Sequence, residues 1–141
     1  MNDAQRVIIH IRLAKCLEDL KYARLLLTEG AYRIAISRAY YAIFVLATAV
    51  LLTLDISRSK HSGVIAAFNQ HLVKPGLIEP EYGKILVRAF KARTEADYSD
   101  SAEFTLEKAQ QAIQDAERFA ARLRAYLEEV NALDRNLGNT A

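Results

Sequence analysis

Proline and glycine are scarce in this chain, two and five of 141 residues. Folds built from strands and tight turns need more such punctuation, so the shortage favours helices. A single cysteine, Cys16, excludes an internal disulfide framework and suits a reducing compartment. There is no CxxC and no Cys/His cluster, so no structural zinc is expected. His10, His61 and His71 have no metal-ligand spacing. A Gly-rich phosphate loop and a GxSxG turn are both missing. Nothing in the residues asks for a cofactor or a metal. The opening "MNDAQRVIIHIRLAKC" carries charges through its apolar run and lacks a small-residue cleavage site, so no signal peptide is expected. The longest uncharged run, "AYYAIFVLATAVLLTL" at 39–54, is shorter than the ~20 residues of a membrane span. Its two tyrosines and two threonines fit a helix buried in a protein core. The expected location is the cytoplasm, with no membrane contact.

What the chain does have is one core's worth of apolar sequence. Hydrophobic residues make up 52% and charged residues 26%, the balance of a globular domain. The periodicity predicts a first helix from Asp3 to Glu29, with Leu13, Leu17, Leu20 and Leu27 on one face. Gly30 stops it. A second helix, Ala31 to Leu54, is apolar almost all round and belongs in the middle. A short third helix should follow "DISRSKHS" and end near Leu72. Pro80 suits the first turn of a fourth helix reaching about Ala96. Thr105 can cap a last helix running to about Val130. The expected fold is all-α: an antiparallel up-and-down bundle of four long helices plus one short helix, occupying residues 1–133. Residues 134–141 read as a flexible tail.

The chemistry concentrates near "KARTEADYSDS" at 91–101. Leu86, Phe90, Arg93 and Asp97 are spaced by four, three and four, so they form one stripe along the fourth helix. Lys84, Arg88 and Lys91 take another face, which leaves Arg93 and Asp97 aimed at the bundle or at a second subunit. Charges in such a place need partners. The plain structural reading is an ion pair four residues apart that satisfies both. On the second helix, "AISRAYYAIF" puts Arg38 and Tyr41 on one face and Tyr40 and Phe44 on another. Arg38, in so apolar a helix, also needs a partner or a cleft. Between Arg58 and Arg93 seven Lys/Arg stand against two Glu. That basic stretch can meet phosphate, and it also reads as an ordinary solvated face. His61, beside Arg58 and Lys60, can touch phosphate or simply be polar surface.

Three stretches in order, "SRAYYAIF", "KHSGVIAAFNQHLV" and "RTEADY", resemble the HEPN family, over roughly Leu17 to Leu127. The resemblance is to its small stand-alone prokaryotic branch with an Arg…Asp-Tyr motif. It implies a helical bundle that forms homodimers. It also implies a metal-independent ribonuclease, or a toxin paired with a minimal nucleotidyltransferase antitoxin. The motif carried over is Arg93, Asp97 and Tyr98; from their charge and placement, Arg38, Tyr41, Arg58 and His61 are the expected residues for binding RNA or nucleotide. The family's nuclease motif is an arginine, four to six residues, then a histidine. Here Tyr98 holds the first position where that histidine could stand, and no histidine follows it. A tyrosine with a pKa of ~10 is a poor general base at neutral pH. The resulting expectation is binding of RNA or nucleotide phosphate through Arg93 without fast cleavage. The alternative is a non-catalytic helical module that binds a nucleotidyltransferase, with Arg93 and Asp97 as structural glue.

Overall fold

A computed structural model describes residues 1–133. The tail expected at 134–141 lies outside them. Helices α1 (Asp3–Thr28), α2 (Tyr32–Leu52), α3 (His61–Phe68), α4 (Pro80–Tyr98) and α5 (Leu106–Glu129) account for the structure, with a π-helical turn at Asn69–Val73 directly after α3. No strand occurs among the described residues. Four helices have 19 to 26 residues and α3 has eight, so the expected set of four long helices and one short one is present.

Local sequence explains most of the boundaries. Asn2 accepts a hydrogen bond from the Gln5 amide while the Gln5 side chain accepts one from the Asn2 amide, a complete capping box. At the other end of α1, Gly30 has φ of +76°, a conformation that costs glycine nothing. Ala31 N–H then reaches back to the Leu26 carbonyl, and a short connection turns the chain into α2. Pro80 occupies the first turn of α4, where its missing N–H has no intrahelical partner to lose. Thr105 Oγ1 accepts from the Lys108 amide at 3.2 Å and starts α5.

Helix α2 is the hub. It packs against α1, α5, α4 and α3, and its buried residues, from Ala35 through Ile43, Leu46 and Leu51, cover most of its circumference. At 21 residues it is long and apolar enough to cross a membrane, longer than the uncharged run alone indicates. Arg33 and Arg38 lie within it, and its neighbours cover it as they would a core helix. The core joins Ile9 and Leu13 of α1, Phe68 of α3, Leu86 of α4, and Ile113, Phe119 and Leu123 of α5.

The expected apolar face of α1 needs a correction. Ile9, Leu13, Cys16, Leu20 and Ala23 are buried, while Leu17 is exposed. The seam follows three-and-four steps from Ile9 and Leu13, which passes through Cys16 and leaves Leu17 beside it. Burial, with the charge of Asp19 adding to it, pushes the Cys16 thiol up to about 12, so the thiolate is suppressed.

Where α4 crosses the π-helical turn there is no room for a side chain. A Cβ on Gly83 would run into the Asn69 side-chain oxygen and crowd Val73. Asn69 is itself held, its amide donating to the Ile65 carbonyl at 3.1 Å. Surface ion pairs Arg122–Glu79 and Arg118–Glu81 join the start of α4 to α5. Asp115, nearly buried on α5, accepts from Arg88 at 3.1 Å and from Gln111 at 3.0 Å, as a buried carboxylate requires.

Candidate functional site

The fourth turn of α4 brings Arg93 inward, and the side chain is only 7% exposed. It lies among aromatic rings. Its guanidinium carbon is 5.2 Å from the Tyr40 ring centre, 5.3 Å from Phe90, 5.6 Å from Tyr41 and 6.0 Å from Tyr98. Each ring is within range of a cation–π attraction, which strengthens when the cation is desolvated. Arg93 Nη1 also donates to Asp97 Oδ2 at 3.4 Å. Asp97 is anchored from the other side, because Ser37 Oγ donates to its Oδ1 at 2.5 Å. The Arg93 Nε–H is buried without a hydrogen-bond acceptor. In this site the rings replace some of the acceptors that a buried guanidinium usually requires.

Helix α2 supplies the facing wall. Ser37, Tyr40, Tyr41 and Phe44 recur at three- and four-residue steps, so one strip of α2 meets the Arg93 end of α4. The expected division of Tyr40 and Tyr41 between separate faces does not hold at this spot. Their rings stand edge to face, 5.5 Å apart, and the long Arg93 side chain reaches both. Tyr40 is buried and Tyr41 partly exposed. Burial pushes the Tyr40 phenol well above its usual range, against the opposing pull of the Arg93 charge, so the hydroxyl stays protonated.

His61 enters as the first residue of α3. Its Nδ1 is 2.6 Å from the Tyr40 hydroxyl. Its ring stacks on Phe44 at 4.3 Å and lies 5.9 Å from Phe90. Burial, then the nearby Arg93 charge, holds its pKa below the ordinary histidine value. The imidazole is therefore neutral at pH 7.

Four of the residues singled out in the sequence thus share one neighbourhood with Arg93: Asp97, Tyr98, Tyr41 and His61. Two do not join it. Arg38 turns toward α1 and pairs with Asp19 at 3.3 Å. Its position in an apolar helix is explained by that partner, without any cleft. Arg58 is exposed and donates to the neighbouring Ser57 carbonyl at 2.8 Å. Arg93, the last of the seven basic residues, is buried beneath the rings instead of lying on the open surface, and Arg88 is engaged with Asp115. The basic surface is correspondingly smaller than the residue count suggests. Ser37 and the closure of Phe90 over Arg93 went unassigned from sequence. The 37–40–41–44 spacing was the signal that could have found the wall. A separate groove of about 360 Å³ lies between α4 and α5, lined by Ile36, Ala92, Phe104 and Lys108 among others. It includes none of the rings around Arg93.

The HEPN domain family matches residues 9–126. A protein of Thermotoga maritima named "UPF0332 protein" is 38% identical over 132 residues, 92% of this chain and 98% of its own. A protein of Methanocaldococcus jannaschii named "Putative toxin MJ0605" is 41% identical over 113 residues, 80% of this chain and 84% of its own. Another from that organism, "Putative toxin MJ0142", is 30% identical over 128 residues, 91% and 87% of the two chains. With the all-helical fold and the "SRAYYAIF" and "RTEADY" stretches lining one site, these matches establish that the chain belongs to the HEPN domain family.

Proposed function

We propose that this protein is the toxin-like component of a HEPN/minimal-nucleotidyltransferase pair, and that it binds RNA or a nucleotide at the Arg93 site. The observation that carries the reading is the site's composition: a guanidinium beneath several rings, with Tyr41 and Tyr98 exposed at its mouth. Exposed rings over a cationic floor suit unpaired bases and the phosphates between them. The toxin names of two relatives agree with it. His61, Arg58 and Lys60 extend the polar rim, and Arg38 stays with Asp19. A cytoplasmic location follows from the partnership. Tyr98, a residue 73% exposed, offers a hydroxyl that a partner nucleotidyltransferase can reach.

A fluorescein-labelled single-stranded oligoribonucleotide should bind weakly, with log Kd depending linearly on log salt. Each phosphate neutralised contributes a slope of about 0.7. Titration at several salt concentrations measures it. The second reading, a helical interaction module with Arg93 and Asp97 as structural glue, draws on the deep burial of Arg93. Absence of oligonucleotide binding even at low salt would favour it.

The same face suits a homodimer. Ile34, Tyr41 and Tyr98 are exposed near the site, and a second copy would cover them. A dimer should bury at least ~800 Å² per partner to be stable. Light scattering should report two copies at high micromolar concentration, and a monomer there would contradict the dimer.

A further inference from the structure

The groove between α4 and α5 exists because its walls are built from alanine. Ala89 and Ala92 of α4 and Ala112 of α5 line it, and their short side chains leave about 360 Å³ between the two helices. Beneath it Ile36, Ala96 and Ala109 form a small buried cluster apart from the main core, with Ala92, Phe104 and Ala112 packed against it. The groove is therefore the uncovered side of a second, smaller core. On α4 its lining runs from Arg88 to Glu95, about 10 Å of helix. Mostly apolar spaces of this volume between bundle helices are typical small-molecule sites.

The charged groups around the groove fall into two sets. Arg88 and Asp115 satisfy each other at 3.1 Å, and Gln111 donates to the second Asp115 oxygen. Lys91, Lys108 and Glu95 remain. Lys108 Nζ donates to the Glu103 carbonyl at 2.8 Å, a neutral acceptor that leaves its charge uncompensated. The ion pairs made by cations of α4 use Arg88 and Arg93, and Lys91 has no carboxylate partner among the described residues. Two unpaired cations on opposite walls against Glu95 alone make the rim positive. An apolar slot with a positive rim is complementary to a molecule with an apolar body and one negative head.

We propose that this groove binds a small amphipathic carboxylate. Its alkyl chain lies along Ala89, Ala92 and Ala112 above Ile36, where burial of apolar surface supplies the affinity. Its head sits at the mouth between Lys91 and Lys108. The ligand is free in solution and is not a segment of another protein. A whole helix with its side chains is about 10–12 Å across and would rest on the rim, whereas a single chain enters the slot. The site stands apart from the Arg93 rings and does not depend on the RNA-binding reading.

The test titrates the full-length, nitrogen-15-labelled protein with octanoate, octanol, octyltrimethylammonium and acetate, followed by NMR. Octanoate should shift the amides of Ala89, Ala92, Phe104 and Ala112 saturably and leave those of Tyr41 and Tyr98 in place. Octanol should bind about two- to fivefold more weakly, the worth of an exposed ion contact. The cationic amphiphile should bind more weakly still, and acetate should not bind. Lys91→Gln and Lys108→Gln should each weaken octanoate by a similar factor and leave octanol unchanged. Ala112→Phe fills the slot and should abolish binding of both; its own spectrum reports whether it folds, and the two lysine variants test the site independently of it. No saturable shift with octanoate, equal affinity for all three head groups, or shifts centred on Tyr41 and Tyr98 would overturn the proposal. So would movement of the groove amides on dilution of the protein alone, which would assign the groove to a second copy.

Discussion

Phe119→Ala should destabilise the protein by about 3–5 kcal/mol, the usual cost of emptying a phenylalanine site in a core. Phe119 is fully buried on α5. Its ring packs 5.5 Å from that of Phe68 at the end of α3, so the substitution loosens the contact between the long bundle and the short helix. The cavity sits where α3 gives way to the π-helical turn, and Phe68 cannot follow without moving Asn69, which Gly83 holds closely. Collapse into the space is therefore limited, and the cost should lie toward the upper end. Urea unfolding followed by circular dichroism measures it. A loss below about 1 kcal/mol would show that the region repacks freely.

Arg93→Ala should cost about 3 kcal/mol. Breaking a fully buried ion pair costs roughly 3–5 kcal/mol, but Asp97 is 27% exposed and keeps its Ser37 hydrogen bond. Water and that hydroxyl reduce the penalty on the stranded carboxylate. Lost attraction to the rings adds about 2 kcal/mol or more for a desolvated cation. Arg93→Met separates the contributions. It fills much of the volume without charge, so its cost isolates the electrostatic part. Stability within about 0.5 kcal/mol of wild type for both variants would show that the rings pack equally well without a cation. Both proteins should also show a raised His61 pKa by NMR titration, because the Arg93 charge is one of the two causes that lower it.

Much of the architecture was legible because helix signals are local. The boundary markers Gly30, Pro80 and Thr105 each act within a turn of where they stand, and each falls where the sequence places it. Leu17 shows the limit: a run of leucines at helical spacing looks like a seam, yet the true seam passes through Ile9 and Cys16. Which of two adjacent stripes is buried depends on the neighbouring helices, and one helix's periodicity does not contain that. The site follows the same division. Arg93 and Asp97 could be paired from their four-residue spacing. The partner of Arg38 could not, since Asp19 lies on a different helix and is reached only through the turn at Gly30. His61 was marked for its basic neighbours, but its meeting with Tyr40 joins α3 to α2 and exists only once the bundle is closed.

The burial of Cys16 has a practical use. A thiol whose pKa is pushed up to about 12 inside the core is almost entirely unionised at pH 7, and alkylating reagents react with the thiolate. The chain therefore behaves toward maleimides as if it had no cysteine. One cysteine introduced at Ser101, which is exposed just beyond α4, would take a nitroxide or a fluorophore alone. Pulsed electron resonance between two such labels would measure the spacing of two copies directly, with no need to delete the native thiol first.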